Sequence, residues 1–162
     1  MQRRAVLALM PAALVAGCGF QLRRAPEFAF QSIYIGTPPS SALGKELKRN
    51  IASNAKVAVV ETPAAAQVVL DMLSEHREKS VVGLNASGQV REFELRIRLR
   101  FKLRTPEGKE LIPESEIVQQ QDISYSESAA LAKESEEQML YRSMQTDIVQ
   151  QLMRRLAAVK TI

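Results

Sequence analysis

Glu92-Phe93-Glu94-Leu95-Arg96-Ile97-Arg98-Leu99-Arg100-Phe101-Lys102-Leu103-Arg104 alternates charged and apolar residues without a miss. Successive side chains of an extended chain point to opposite sides, so this period places six apolar residues on one face of a strand. Such a strand belongs to an antiparallel sheet with one side on a core and the other facing something polar. Thr105-Pro106-Glu107-Gly108-Lys109 then makes a hairpin turn, with proline supplying a φ of about −65° and glycine a positive φ. The chain returns through Leu111–Tyr125, where Pro113 marks an edge strand or a bulge.

Arg96, Arg98, Arg100, Lys102 and Arg104 project from the polar face, about 6.8 Å apart. Five cations in a line suit phosphate binding, arginine through two parallel hydrogen bonds. Counting across the turn, however, sets Arg104 against Glu110, Arg100 against Glu114 and Arg98 against Glu116. Cross-strand ion pairs of that kind are ordinary features of a sheet. In this register Arg96 and Lys102 meet Val118 and Ile112, with Asp71 or Glu75 of the other neighbouring strand as partial compensation. The row therefore reads equally as a plain sheet face or as an anion-binding one.

Upstream, Gln67–Val82 is a longer β candidate with imperfect alternation, ending in the turn-prone Asn85-Ala86-Ser87-Gly88. Ser32–Ile35 is a short strand closed by Gly36 and Thr37-Pro38-Pro39, and Val57–Val60 is a second short one. Between them Leu43, Leu47 and Ile51 form one helical stripe, with Ser40 or Ser41 as N-cap. From about Ser126 the period becomes helical: Leu140, Met144, Ile148, Leu152 and Leu156 recur every fourth residue over a run of about 45 Å. The order β-α-β-β-β-β-α predicts an α+β fold, two helices packed on one face of a mostly antiparallel four- to five-stranded sheet.

The first residues have a different character. Met1-Gln2-Arg3-Arg4 is positive, and Ala5–Ala16 is an apolar run too short to span a bilayer. This is the pattern of a signal peptide, expected over residues 1–17. Leu14-Val15-Ala16-Gly17-Cys18 resembles the lipobox of bacterial lipoproteins. The resemblance implies that Cys18 carries S-diacylglycerol and N-acyl groups and becomes the new N-terminus. Gly19, where an aspartate would retain the protein at the inner membrane, implies sorting to the outer membrane. Residues 18–30 are then a lipidated tether and 31–162 a single domain. Removal of residues 1–17 from the 162 would leave 145, and loss of Arg3 and Arg4 takes the net charge from +4 to +2. The basic balance is thus partly an export signal, and nucleic acid is not an expected partner.

Catalytic material is scarce. The chain has one cysteine, one histidine and no tryptophan, so neither an internal disulfide nor a Cys/His zinc site can be built. His76 lies beside Glu75, Arg77 and Glu78 in a β segment, and no nucleophile-elbow, zinc-helix or P-loop pattern is present. The reading is no enzyme, no metal and no cofactor beyond the lipid on Cys18.

Gly17-Cys18-Gly19-Phe20-Gln21-Leu22-Arg23, the Ser87-Gly88-Gln89 turn leading into the alternating strand, Ala130-Leu131-Ala132-Lys133-Glu134-Ser135-Glu136-Glu137-Gln138-Met139 and Gln151-Leu152-Met153-Arg154-Arg155-Leu156 together resemble the LptE family. These are lipopolysaccharide-assembly lipoproteins of Gram-negative outer membranes. The resemblance implies a two-helix, four-stranded α+β fold, with Val57–Val60 as an extra strand. It also implies a heterodimer with the LptD outer-membrane barrel, the chain sitting in the barrel lumen on the periplasmic side, and binding of lipopolysaccharide for delivery to the cell surface. On this reading the Arg96–Arg104 face is anion-binding or barrel-facing. Lys133 matches the basic residue of the family's A-L-A-K segment, associated with lipopolysaccharide. The second basic residue of the family has no counterpart, since Ala86 and Ser87 stand there, and Arg91 is the expected substitute. The alternative is a periplasmic accessory lipoprotein of another envelope lipid-trafficking machine, whose partner would be soluble or in the inner membrane.

Overall fold

The computed structural model describes residues 26–162 apart from residue 55. The signal peptide, Cys18 and most of the tether expected from the sequence lie outside the described residues. Strand β1 (Ser32–Gly36) leads to helix α1 (Ala42–Ala52), then to strand β2 (Ala58–Val60). Three long strands follow: β3 (Val68–Leu84), β4 (Val90–Arg104) and β5 (Glu110–Ser124). Helix α2 (Ala130–Ala158) closes the chain, entered through a single 3-10 turn at Glu127–Ala129. The sheet order is β2-β1-β3-β4-β5. The β1 strand pairs in parallel with β2 and β3, whereas β3–β4 and β4–β5 are antiparallel and carry most of the pairing. Both helices lie on one face, so the expected α+β architecture is the observed one.

The β4 strand behaves as its alternation dictates. Leu95, Ile97, Leu99, Phe101 and Leu103 are buried beneath the helices, while the intervening cations stay partly open. Helix α1 adds Leu43, Leu47 and Ile51 to this core, and α2 adds Met144, Ile148, Leu152 and Leu156. Each buried aliphatic side chain contributes about 1.5–3 kcal/mol, and this shared layer holds helices and sheet together. Ser41 caps α1, its Oγ accepting from the Gly44 amide at 2.9 Å. Gly44 is required by closeness, because a Cβ there would come within 2.5 Å of Thr37 Oγ1. The turns are also as expected. Gly108 has φ +99° within a loop closed by the Thr105 amide on Lys109 O (2.8 Å), and Gly88 has φ +81° within one closed by the Asn85 amide on Gln89 O (2.9 Å).

Two differences from the sequence reading have clear causes. Arg104 faces Glu110, as counted from the turn, but the β5 register shifts around Pro113, which cannot donate to the ladder. Arg100 therefore faces Glu116 instead of Glu114, Arg98 faces Val118 instead of Glu116, and Arg96 faces Gln120. The second difference lies at the N-terminal boundary. Phe30, the last residue of the expected tether, is buried in the core, and Phe28 stacks on it at 5.1 Å. The imperfect alternation of β3 comes from irregularities between Met72 and Ser74 and between Val81 and Gly83, each of which resets the faces.

Candidate functional site

The open face of the sheet and the far end of the long hairpins contain the residues singled out by sequence. On the open face the cationic row is answered by acids. Arg104 Nε bonds Asp71 Oδ2 at 2.8 Å, and Arg100 bonds Glu114 despite the shifted register. Arg98 lies 3.7 Å from Glu116 and 3.8 Å from Glu78. Arg96 bonds Glu94 at 2.5 Å and lies 3.9 Å from Glu78. Only Lys102 makes no ion pair among the described residues, although it sits opposite Asp71 in the ladder. The face is a mixed-sign lattice and not a bare row of cations. Pairs this exposed are each worth about 0–1 kcal/mol, so they can be exchanged for other polar partners at little cost. His76 is exposed opposite Arg98, and no group of three or more potential metal ligands occurs among the described residues.

Further along β3, where the strand runs out from the core, three charged residues stand on the side that the helices approach, Glu75 half-buried and Arg77 and Lys79 exposed. They pair with Leu99, Ile97 and Leu95 of β4 and thus lie on the same side of the sheet as the core, at its margin. Two are closely answered from above. Ser41 Oγ donates to Glu75 (2.7 Å), and Arg77 donates to Gln145 (2.8 Å) while its guanidinium lies 5.5 Å from the Tyr141 ring centroid. The Tyr141 hydroxyl donates to the Glu78 carbonyl at 2.8 Å. Burial pushes this phenol above its ordinary pKa of 10.0, Glu137 pushes it the same way, and Arg77 opposes them.

Lys79 is different because it opens into a cleft of about 330 Å³ beneath the first turns of α2. Phe93 and Ile123, cross-strand neighbours, contribute its apolar side, with Tyr125 set edge-on to Phe93 at 5.3 Å. Lys133 enters from α2, its Nζ donating to Ser124 Oγ at 2.9 Å and to Glu136 at 2.8 Å. Lys79 Nζ donates to Glu137 at 2.6 Å and lies 4.3 Å from the Phe93 ring centroid. The cleft thus combines an apolar floor with two ammonium groups, each held by a carboxylate one helical turn from Lys133.

Arg91 is exposed at the start of β4 and lines a neighbouring recess of about 200 Å³ with Ser126 and Glu127. It adjoins the Lys133 cleft through the backbone, since the Tyr125 amide donates to Arg91 O at 2.7 Å and Ser124 anchors Lys133. The structure therefore gathers Arg91 and Lys133 at one end of the molecule, while the second cation inside the Lys133 cleft is Lys79. Sequence reading missed Lys79 because the face of β3 cannot be counted through two irregularities. The available signal was its company, three charged residues at alternate positions Glu75, Arg77 and Lys79.

No curated protein matches the chain in sequence. Among solved structures, the chain is similar to the solution structure of lipoprotein B from Nitrosomonas europaea, described as uncharacterised. The identity is 35%, with 86% of this chain and 91% of that one covered and a TM-score of 0.76. It is also similar to the rare lipoprotein B of Shewanella oneidensis, at 22% identity over 79% of this chain and 95% of that one, TM-score 0.68. The minor lipoprotein of Acinetobacter baumannii gives 16% identity over 82% and 94%, TM-score 0.65. The last two likenesses speak for the fold alone. The model of the LptE family, described as lipopolysaccharide assembly, matches residues 30–156. That span runs from the buried Phe30 to the last core residue of α2, so it takes in the whole core, and the chain belongs to the LptE family of lipopolysaccharide-assembly lipoproteins.

Proposed function

We propose that the protein is an outer-membrane lipoprotein, lipidated on Cys18, that plugs and helps assemble the LptD barrel and binds lipopolysaccharide for its delivery to the cell surface. The observation that carries this reading is the family match over residues 30–156. The family is non-enzymatic, and the chemistry at hand agrees with binding: cations, an apolar floor and exchangeable ion pairs. The interior of an outer-membrane barrel is polar, and the uncovered sheet face with its mixed charges is suited to meet such a wall. Lipopolysaccharide is a phosphorylated amphiphile. The end of the molecule bearing Lys133 and Arg91 offers it cations beside apolar surface, with Val81, Val82 and Leu84 of β3 and Leu131 of α2 all exposed.

The binding half of the proposal is tested by charge reversal. Lys133→Glu and Arg91→Glu are expected to weaken lipopolysaccharide binding by about tenfold or more each, as loss of a charge-assisted hydrogen bond implies. Arg91 is exposed, so the urea midpoint of Arg91→Glu is expected to move little. Lys133 is 22% exposed and paired with Glu136, so Lys133→Glu is expected to lower the midpoint modestly while the chain still folds. Titration of the purified chain with fluorescently labelled lipopolysaccharide reads the effect. Unchanged affinity in both variants would remove the site assignment and leave the barrel role standing.

A further inference from the structure

We infer that Lys79 is a second phosphate-binding residue of the Lys133 cleft, and that Glu136 and Glu137 are internal counter-ions that a phosphorylated lipid displaces when it binds. The inference rests on the lipopolysaccharide reading above and names the phosphate as the group recognised in this cleft. Four observations carry it. Lys79 lies on the side of β3 that α2 approaches, opposite Leu95, and its side chain stays 37% exposed, so its ammonium is within reach of a ligand entering from solvent. Its neighbour on that face, Arg77, is closely tied by Gln145 and Tyr141, whereas the Lys79 ammonium faces the cleft with Glu137 as its only ion-pair partner among the described residues. Lys133 approaches the same space from α2 with one carboxylate, Glu136, and one hydroxyl, Ser124. Between the two lysines lie Phe93 and Ile123, an apolar floor that a lone inorganic anion would not need.

In the free protein the two ion pairs spare the lysines from isolation. Both pairs keep partial solvent access, with Glu136 44% and Glu137 23% exposed, so the carboxylates can turn outward to water. A phosphate bearing more than one negative oxygen can bridge both ammonium groups at once, which neither carboxylate does in the structure. The acyl or sugar portion attached to it would then cover the partly open ring of Phe93, which rests on the buried Ile123. Arg91, in the adjoining recess, remains free to contact a second part of the same ligand.

The expected signature is opposite in sign for the two kinds of residue. Binding is measured on the full chain in detergent with lipopolysaccharide, with lipopolysaccharide stripped of phosphate, and with inorganic phosphate alone. Lys79→Met, which keeps the aliphatic stem over Phe93, is expected to weaken lipopolysaccharide binding about tenfold, and Lys79→Arg to restore most of it. Glu137→Gln, which removes the competitor while keeping the shape, is expected to strengthen binding about two- to fivefold. Both effects should vanish with the phosphate-stripped ligand, and inorganic phosphate should bind far more weakly than the lipid. Unchanged affinity in Lys79→Met beside weakened binding in Lys133→Glu would overturn the role of Lys79 and leave the proposed function intact. Equal affinity for native and stripped ligand would overturn phosphate as the recognised group. Failure of the unmodified chain to bind lipopolysaccharide, with or without tight binding of inorganic phosphate, would remove both readings. Thermal unfolding of each variant separates loss of binding from loss of fold.

Discussion

Phe101→Ala is expected to cost about 3–5 kcal/mol of folding stability, a fifth or more of the roughly 5–15 kcal/mol that a domain usually has. The ring is fully buried in β4, opposite Met72 of β3 and Ser115 of β5. Arg155 of α2 holds its guanidinium 5.6 Å from the ring centroid, so the residue joins the last turns of the long helix to the middle of the sheet. Truncation removes the transfer energy of the ring and leaves a void that the surrounding strands, fixed by ladders on both sides, can only partly close. The urea midpoint should fall steeply at an unchanged slope. Arg98→Ala, three ladder positions closer to the far end and therefore on the open face, should cost less than about 1 kcal/mol because its ion pairs are long and exposed. Comparable losses in the two variants would mean that the faces of β4 have been assigned wrongly.

Cys18→Ala is expected to abolish incorporation of labelled palmitate and to move the newly made chain out of the alkali-washed membrane fraction. No helix among the described residues is long and apolar enough to cross a membrane. In the proposed function attachment comes from acyl chains on Cys18. Each buried methylene contributes about 0.8 kcal/mol, so two or three chains anchor stably where one holds only reversibly. The signal-peptide pattern of Arg3, Arg4 and the Ala5–Ala16 run would remain, and export should continue. A Cys18→Ala chain that still carries palmitate would place the modification elsewhere. One that stays in washed membranes without palmitate would show that a protein partner holds it there.

Much of this fold was legible because two periods are so clean. The alternation from Phe93 to Leu103 set the two sides of β4, and the spacing from Leu140 to Leu156 set the buried stripe of α2. Ser41 and the glycines of both hairpin turns could be read from local chemistry, since their geometry depends on neighbours a few residues away. Registers were less accessible. Pro113 announced a bulge or an edge, and it is the site of a register shift on an edge strand, but its effect on which arginine meets which glutamate needs coordinates. The Lys79 cleft was hidden for the same reason. It depends on irregularities in β3 and on a helix that begins about fifty residues later in the chain. Lys133, by contrast, was reached through its family segment, and the structure adds the surroundings that give the residue chemical meaning.

The mixed-charge face, the cleft and the anchor describe parts of one proposed device, a tethered binding domain enclosed by a larger partner. The most direct measurement is gentle detergent extraction of the outer membrane followed by affinity isolation of the full chain and determination of what co-elutes. The proposed function predicts a stoichiometric complex with a single outer-membrane barrel of far greater mass, identifiable as LptD. Recovery from the outer membrane only as a free lipoprotein, or in complex with a soluble or inner-membrane component instead, would contradict it.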